Sequence, residues 1–390
     1  MAEKAFVTPE VLRWARKTAK MNEQTAAEKI SVSADRIREW ELGLGQPTIK
    51  QAQKLAKVYR RPFALFFLPE APTDFKPLED FRKPGSKDLS TSVIFIIREI
   101  QQKQAWVRES FLNEKKEPLP FIGRFSLENS PQDVAVDILK VLGINPSQYV
   151  SGYPLKEWIN AAEMSGIFIT RTSNIHSRLL IDTDELQGFA IADRIAPFIF
   201  INSEDWNTAQ LFTLVHELAH LWIAASGISN AIDFDQIKGD TYHTVERFCN
   251  EVAASALMPE KTLQSENISN FSDLKDLSSS SRKYGVSSFA LLVRLLNLHI
   301  ISNNKFLSLR QQAEAEYNSY IVKEAERKAK QKAKDGGPNY YLLQCNRNGR
   351  LFTQIVLDAF RGGSINPTLA SDLLNVRITK FQKLEAQLFK

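Results

Sequence analysis

The chain has 390 residues, 43% hydrophobic and 24% charged, a composition that excludes a disordered or low-complexity protein and a length that calls for two or three domains. Its 50 basic and 45 acidic residues leave a net charge of +5, too mild an excess to point by itself to nucleic acid. The two cysteines stand in no CxxC spacing, which excludes a disulfide framework and a thiolate metal site; no run approaches the ~18 apolar residues of a membrane span, so a reducing, cytoplasmic setting is expected.

Residues 1–70 read as a compact all-α module. It begins with "TPEVLRWARKTAKM", where Thr8 is placed as N-cap, Pro9 at the first helical position and Glu10 in the first turn. The helices that follow are "NEQTAAEKI", "SADRIREWELG", "TIKQAQKLAKVY" and "PFALFF". The proline-rich stretch that comes next, centred on 71–88, has neither helical nor strand periodicity and is expected to be an extended linker.

A helical connecting region is expected over 89–150, with "STSVIFIIREIQQKQAWVRESFL" and then "SPQDVAVDILKVLGI", which has Ser130 as N-cap, Pro131 at its first position and Gly143 just past its end. From 151 to 303 the pattern becomes α+β. The amphipathic "PLKEWINAAEMSGI" is followed by the short β-rich runs "FIT", "GFAIAD" and "PFIFIN", which lead into "TLVHELAHLWIAASG". Helices resume with "HTVERFCNEVAASALMP" and "SSFALLVRLLNLHI". A charged helical connector is expected over 304–337, and a small helical domain over 338–390, where "NPTLASDLLNVRITKFQKLEAQL" reads as two short helices around a turn at Asn375 and Val376.

The central question is the pair His216 and His220. Residues four apart lie one above the other on a helix, so both imidazoles can reach one ion, while Glu217 lies about 100° round, beside the ion. With five histidines in the chain, a chance HExxH is expected on the order of a few times in a thousand such sequences. Two imidazoles and a carboxylate inside an apolar helix are costly without a partner, which favours a zinc site with Glu217 as general base. A third protein ligand is required, and His243, Glu246 and Glu251 are the downstream candidates. Glu246 and Asn250 share a helix face followed by small alanines, which let two helices approach closely; Glu251 points elsewhere.

"HELAH" together with "VERFCNEVAASALMP" and "QGFAIADRIAPFIFINS" resembles the ImmA/IrrE family of zinc metallopeptidases, over about 154 to 302. The resemblance implies a zincin-like α+β domain with a small sheet, His216 and His220 as zinc ligands, Glu217 as base and Glu246 as third ligand at the family's ExxxNxxA position. Cys249 and Val252 replace the family's usual Ala and Phe as packing changes, Cys249 reading as a small buried hydrophobe. For an oxyanion stabiliser or a supporting polar group the candidates are His243, Tyr242, His176 and Arg178.

"MNEQTAAEKISVSADRIREWELGLGQPTIKQAQKLAKVY" resembles the Xre or Cro/CI type of helix-turn-helix, with "SVS" as the turn and Ala27, Ile30, Val32, Ile37, Trp40, Ile49 and Leu55 at core positions. Its exposed second helix offers Asp35, Arg36, Arg38 and Glu39, and acidic groups there oppose phosphates. Candidate DNA or partner contacts are Arg36, Arg38, Lys50 and Lys54, the lysines in a basic stripe with Lys57, Arg60 and Arg61. The expected protein is multidomain and mainly α, cytoplasmic, and a zinc endopeptidase acting on a regulatory or genetically linked protein partner. The alternative is a DNA-binding regulator or antitoxin whose metal site is structural; a homodimer is compatible with either, and no membrane is involved.

Overall fold

The computed structural model describes residues 3–72, 78–80, 89–150, 152–176, 179–229, 244–265, 274–315 and 339–388. The chain divides into two compact units. One comprises Met1–Pro77, Lys87–Gln101 and Asn174–Leu180; the other comprises Leu78–Ser86, Gln102–Ser173 and Ile181–Lys390.

In the first unit the chain forms α1 (Pro9–Thr18), α2 (Glu23–Ile30), α3 (Ala34–Glu41) and α4 (Ile49–Tyr59), then a 3₁₀ turn over Phe63–Phe67 where "PFALFF" is read as a helix. Short polar side chains start these helices: Asn22 accepts from the Thr25 N–H at 2.7 Å, and Thr48 and Gln51 bond reciprocally as a capping box. Ser31 ends α2 in the left-handed region at φ 60° and makes the tight turn into α3. Thr8 holds the N-cap position of α1, but its hydroxyl donates to the Leu68 carbonyl at 2.7 Å and so ties down the module's far end instead of capping the helix. Ala27, Ile30, Ile37, Trp40 and Leu55 are buried as expected, and Val32 and Ile49 are half-buried.

The second unit contains β1 (Glu79–Asp80), the part of α5 (Thr91–Asn113) beyond Gln101, α6 (Pro131–Leu142) and α7 (Pro154–Met164). Ser130 caps α6 at Gln132, and Gly143 ends it at φ 65°, the left-handed region that glycine enters at no steric cost. After β2 (Phe168–Thr172) comes the antiparallel hairpin β3 (Asn174–His176) and β4 (Leu179–Leu180), which clusters with the first unit. Next come β5 (Gly188–Ile191), β6 (Phe198–Asn202), α8 (Asn207–Trp222) and β7 (Gly227–Ser229).

The sheet order is β1-β7-β5-β6-β2, with β1 parallel to β7, β2 parallel to β6, and β5 antiparallel to both its neighbours. Part of the proline-rich stretch thus has a place in the sheet, Glu79 and Asp80 pairing with Gly227 and Ile228. Every residue of β6 is buried, as its unbroken apolar run requires.

Helix α8 lies on this sheet and is buried on all sides from Gln210 to Trp222, the state its nearly continuous apolar sequence dictates. Its C-terminal end is anchored by Trp222, which stacks on Phe121 at 4.7 Å and donates its indole N–H to Asp137 at 2.8 Å. Helix α9 (Thr244–Leu257) packs on α8 and on α6, and its Cys249, Val252, Ala253 and Ala256 are fully buried. Then follow α10 (Glu260–Ser265), α11 (Leu274–Tyr284), α12 (Ser288–Asn297) and a helix over 303–315; most of the charged connector lies outside the described residues.

The C-terminal region folds as α13 (Tyr340–Asn348), α14 (Arg350–Arg361), α15 (Pro367–Leu374) and α16 (Phe381–Leu388). Asn375, at φ 52°, makes the expected turn. This region packs on β2; beside it the Phe352 ring meets Phe198 of β6 edge-on at 6.1 Å, and the Lys103 ammonium on α5 donates to Asn348 at 2.9 Å. Among the described residues no helix is long and apolar enough to cross a membrane.

Candidate metal centre

His216 and His220 stand one turn apart on α8, and Glu246 reaches them from the first turn of α9. The His216 Nε2 and His220 Nε2 atoms are 3.0 Å apart. Glu246 Oε2 lies 3.2 Å from His216 Nε2, and Glu246 Oε1 lies 3.0 Å from His220 Nε2. Ligand atoms held tetrahedrally by one ion at ~2.1 Å are about 3.4 Å apart, so the three side chains already stand close to ligand spacing. All three are buried, and they form the one His/Cys/Asp/Glu cluster among the described residues that could hold a metal ion.

The donor chemistry fits a cation. His216 Nδ1 is 2.9 Å from Asn250 Oδ1, and a carbonyl oxygen only accepts, so the imidazole proton sits on Nδ1 and the Nε2 lone pair faces the cluster. That lone pair and the carboxylate of Glu246 converge with nothing positive between them unless a proton or a metal ion is bound.

Burial disfavours the charged form of His216, but the carboxylate of Glu246 outweighs it and leaves the imidazole above its ordinary pKa. For His220 burial prevails, and its pKa is lowered. Burial alone would raise Glu246; facing His216 and then His220, its carboxyl is instead drawn down to about 2 and stays ionised.

Glu217 is fully buried on the neighbouring face of α8, against the start of β5. A Cβ on Gly188 would stand 2.9 Å from Glu217 Oε1 and 2.6 Å from Thr213 Cγ2, so glycine is what lets the strand approach this carboxylate. The charge of Glu217 is felt at His216 and Cys249, which places it beside the cluster and outside the ligand set. Burial pushes the Cys249 thiol well up, so it packs as a small apolar group.

The structure thus brings together Glu217, His216, His220 and Glu246 and leaves Glu251 exposed. Tyr242, His243 and Arg178 lie outside the described residues; His176 is in β3, its side chain likewise outside. Two groups escape sequence reasoning in this role. Asn250 orients His216, for which its place on the Glu246 face is the available signal, and Gly188 makes room for Glu217, a close approach that no local pattern announces.

On the helix-turn-helix, Arg36 pairs with Glu39 at 3.0 Å, and Arg38 with Glu23 at 2.9 Å and Asp35 at 3.1 Å. Lys50, Lys54 and Lys57 are exposed along α4. Arg61 does not belong to that stripe: it is buried, with its guanidinium 4.2 Å from the centre of the Trp14 ring.

Residues 165–296 match a peptidase family model described as the IrrE N-terminal-like domain, and residues 12–66 match a helix-turn-helix model. No curated protein matches the chain. Both matches fall inside the spans delimited by the motifs, and the peptidase match contains α8, α9 and all four residues of the cluster and its neighbour carboxylate. The chain therefore carries, in this order, an Xre-type helix-turn-helix segment and an IrrE/ImmA-like metallopeptidase-type segment.

Proposed function

We propose that the protein is a zinc-dependent endopeptidase that cleaves a specific regulatory protein, a repressor-type or toxin/antitoxin-type partner, with its helix-turn-helix choosing the target or its location. The observation that carries this reading is the convergence of His216, His220 and Glu246 at ligand spacing with Glu217 buried alongside. Two neutral imidazoles and one carboxylate are the donor set of a catalytic zinc site, which leaves a fourth position open. Zinc bound there supplies Lewis acidity, making water more acidic and polarising the scissile carbonyl.

The chain's own residues do the rest. Asn250 holds the Nδ1 proton of His216 and so fixes which nitrogen faces the ion. Glu217 takes a proton from the attacking water and hands it to the leaving amine, a general acid–base role that needs a carboxylate beside the ligands and not among them. Lys50 and Lys54, exposed on α4, are the better candidates for backbone phosphates, because Arg36 and Arg38 are engaged by acidic neighbours.

A second reading, a DNA-binding regulator or antitoxin with a structural metal, is favoured by one observation: His216, Glu217 and His220 are 0% exposed and Glu246 is 1% exposed, and structural zinc sites are closed. Co-production of the wild type or Glu217→Gln with the proteins encoded beside its gene, followed by intact-mass analysis, separates the two. A fragment formed only with the wild type, with equal zinc in both proteins, supports the peptidase. Intact partners in both samples, with zinc retained and a salt-sensitive shift of promoter DNA, support the regulator.

A further inference from the structure

Away from the cluster, the second unit contains a cavity of about 520 Å³ between α7, β2, the first turn of α8 and the C-terminal helices α13 and α14. None of His216, Glu217, His220 and Glu246 lines it. Its volume lies in the range of small-molecule sites.

The wall contributed by β2 is Ile169 and Arg171, which share a face of the strand. Burial lowers the pKa of Arg171, and no neighbouring carboxylate acts against it. Among the described residues no hydrogen bond or ion pair engages its guanidinium. Arg171 is half-buried; a partly desolvated cation with no counter-charge carries a cost, and a bound anion offsets it.

Glu163 also lines the cavity but serves another purpose. Its Oε1 accepts the Leu351 N–H at 3.2 Å, so it caps α14, whose own N-cap Gly349 has no side chain to do so. Two other helices open on the cavity with their N-terminal turns, α7 through Pro154, Leu155 and Lys156 and α8 through Asn207 and Thr208. Neither Tyr153 nor Trp206 provides a side-chain cap for its helix; at α7 this leaves only the Leu155 N–H, since Pro154 has none and the Lys156 N–H bonds the Tyr153 carbonyl at 3.0 Å, whereas α8 leaves its first N–H groups for a ligand.

We propose that this cavity binds a small organic anion bearing a phosphate group. Arg171, half-buried on β2, grips the phosphate, Lys156 meets it at the exposed rim, and the apolar side chains of Ile159 and Leu211 take the organic part. Two cationic side chains together with two helix N-termini suit a dianion better than a single carboxylate. The site goes beyond the peptidase reading and does not depend on it. Its floor is nonetheless the start of α8, and His216 follows nine residues after Asn207, about 13 Å along the same helix axis. A ligand here touches the helix that bears the histidine pair without touching the pair, the arrangement of an effector site.

Thermal melting of the full chain with millimolar adenosine monophosphate, inorganic phosphate or acetate tests this. The nucleotide is expected to raise the melting temperature most, inorganic phosphate less, and acetate not at all. Arg171→Met should weaken nucleotide affinity by about tenfold or more, and Lys156→Gln by a smaller factor. With no anion added, Arg171→Met should melt no lower than the wild type, because it removes an uncompensated charge. Should that variant not fold, Arg171→Gln and Lys156→Gln provide the same readout. No stabilisation of the wild type by either phosphate, an equal response to acetate, or a nucleotide shift undiminished in the variants would overturn the proposal.

Discussion

The Nδ1 of His216 on α8 donates its proton to Oδ1 of Asn250 on α9 at 2.9 Å, so the helix that carries Glu246 also sets the tautomer of a histidine on its neighbour. Outer partners of this kind typically contribute about 10–100-fold to metal affinity. Asn250→Ala is expected to weaken zinc binding by that factor in competition with a chromophoric chelator. Asn250→Asp, which keeps an acceptor, should retain it. Equal affinity in Asn250→Ala and the wild type would remove the orienting role.

Gly188 gives a way to disturb Glu217 without touching a ligand. A Cβ there would press on Thr213 Cγ2 at 2.6 Å and on the Phe200 carbonyl at 3.1 Å, besides Glu217 itself. Gly188→Ala should therefore cost about 1–3 kcal/mol of stability by overpacking and reduce cleavage while zinc content stays at the wild-type level. A variant that loses zinc in proportion to activity would show that the strand positions the ligands and not the base.

Much of this site is legible in the sequence, because HExxH is a local pattern whose helical spacing fixes the geometry of three side chains at once. Glu246 is only half legible. A carboxylate in a first turn has an ordinary use near the helix dipole, and the resemblance, together with the fold, is what separates it from Glu251. Strands "FIT", "GFAIAD" and "PFIFIN" announce β2, β5 and β6 by their apolar runs, whereas β7 and the two-residue β1 are too short for any periodicity and exist through pairing alone. Arg61 is misread for a related reason. In sequence it continues a basic stripe, but the chain leaves α4 at Arg60 in a left-handed turn and sends the next side chain over Trp14. Arg171 and Glu163 give no sequence signal, since the half-burial of the one and the burial of the other depend on α13 and α14, far downstream in the chain.

Glu163 makes the stability of the second unit depend on pH. Burial lifts its pKa from 4.5 to about 7, so between those values the folded chain binds a proton that the unfolded chain has released. Stability then falls as pH rises through that window and is level above it, by about 3 kcal/mol in all. Glu163→Gln keeps an acceptor for Leu351 and removes the titration. Relative to the wild type it should gain most of that difference between about pH 5 and about pH 8 in chemical denaturation. A difference between the two proteins that stays constant with pH would place the Glu163 carboxyl in the usual range.

In the helix-turn-helix the strongest electrostatic tie is internal. Arg16 on α1 meets Glu41 at the end of α3 with two hydrogen bonds of 2.7 Å, and their side chains are 9% and 2% exposed. Glu41 is therefore structural and takes no part in the acidic surface that Asp35 and Glu39 present. Arg16→Met would leave the Glu41 carboxylate buried with only the half-exposed Arg13, 3.8 Å from its Oε2, as a cationic neighbour, and the loss of the main partner of such a pair costs up to about 3–5 kcal/mol. The double variant Arg16→Met/Glu41→Leu replaces both charges by apolar groups and should recover most of that loss. Both effects are read from the unfolding transition of the N-terminal unit. If the double variant is no more stable than Arg16→Met, then Arg16 supports the module through its bond to the Met21 carbonyl and the packing of its stem, and the charge pair is secondary.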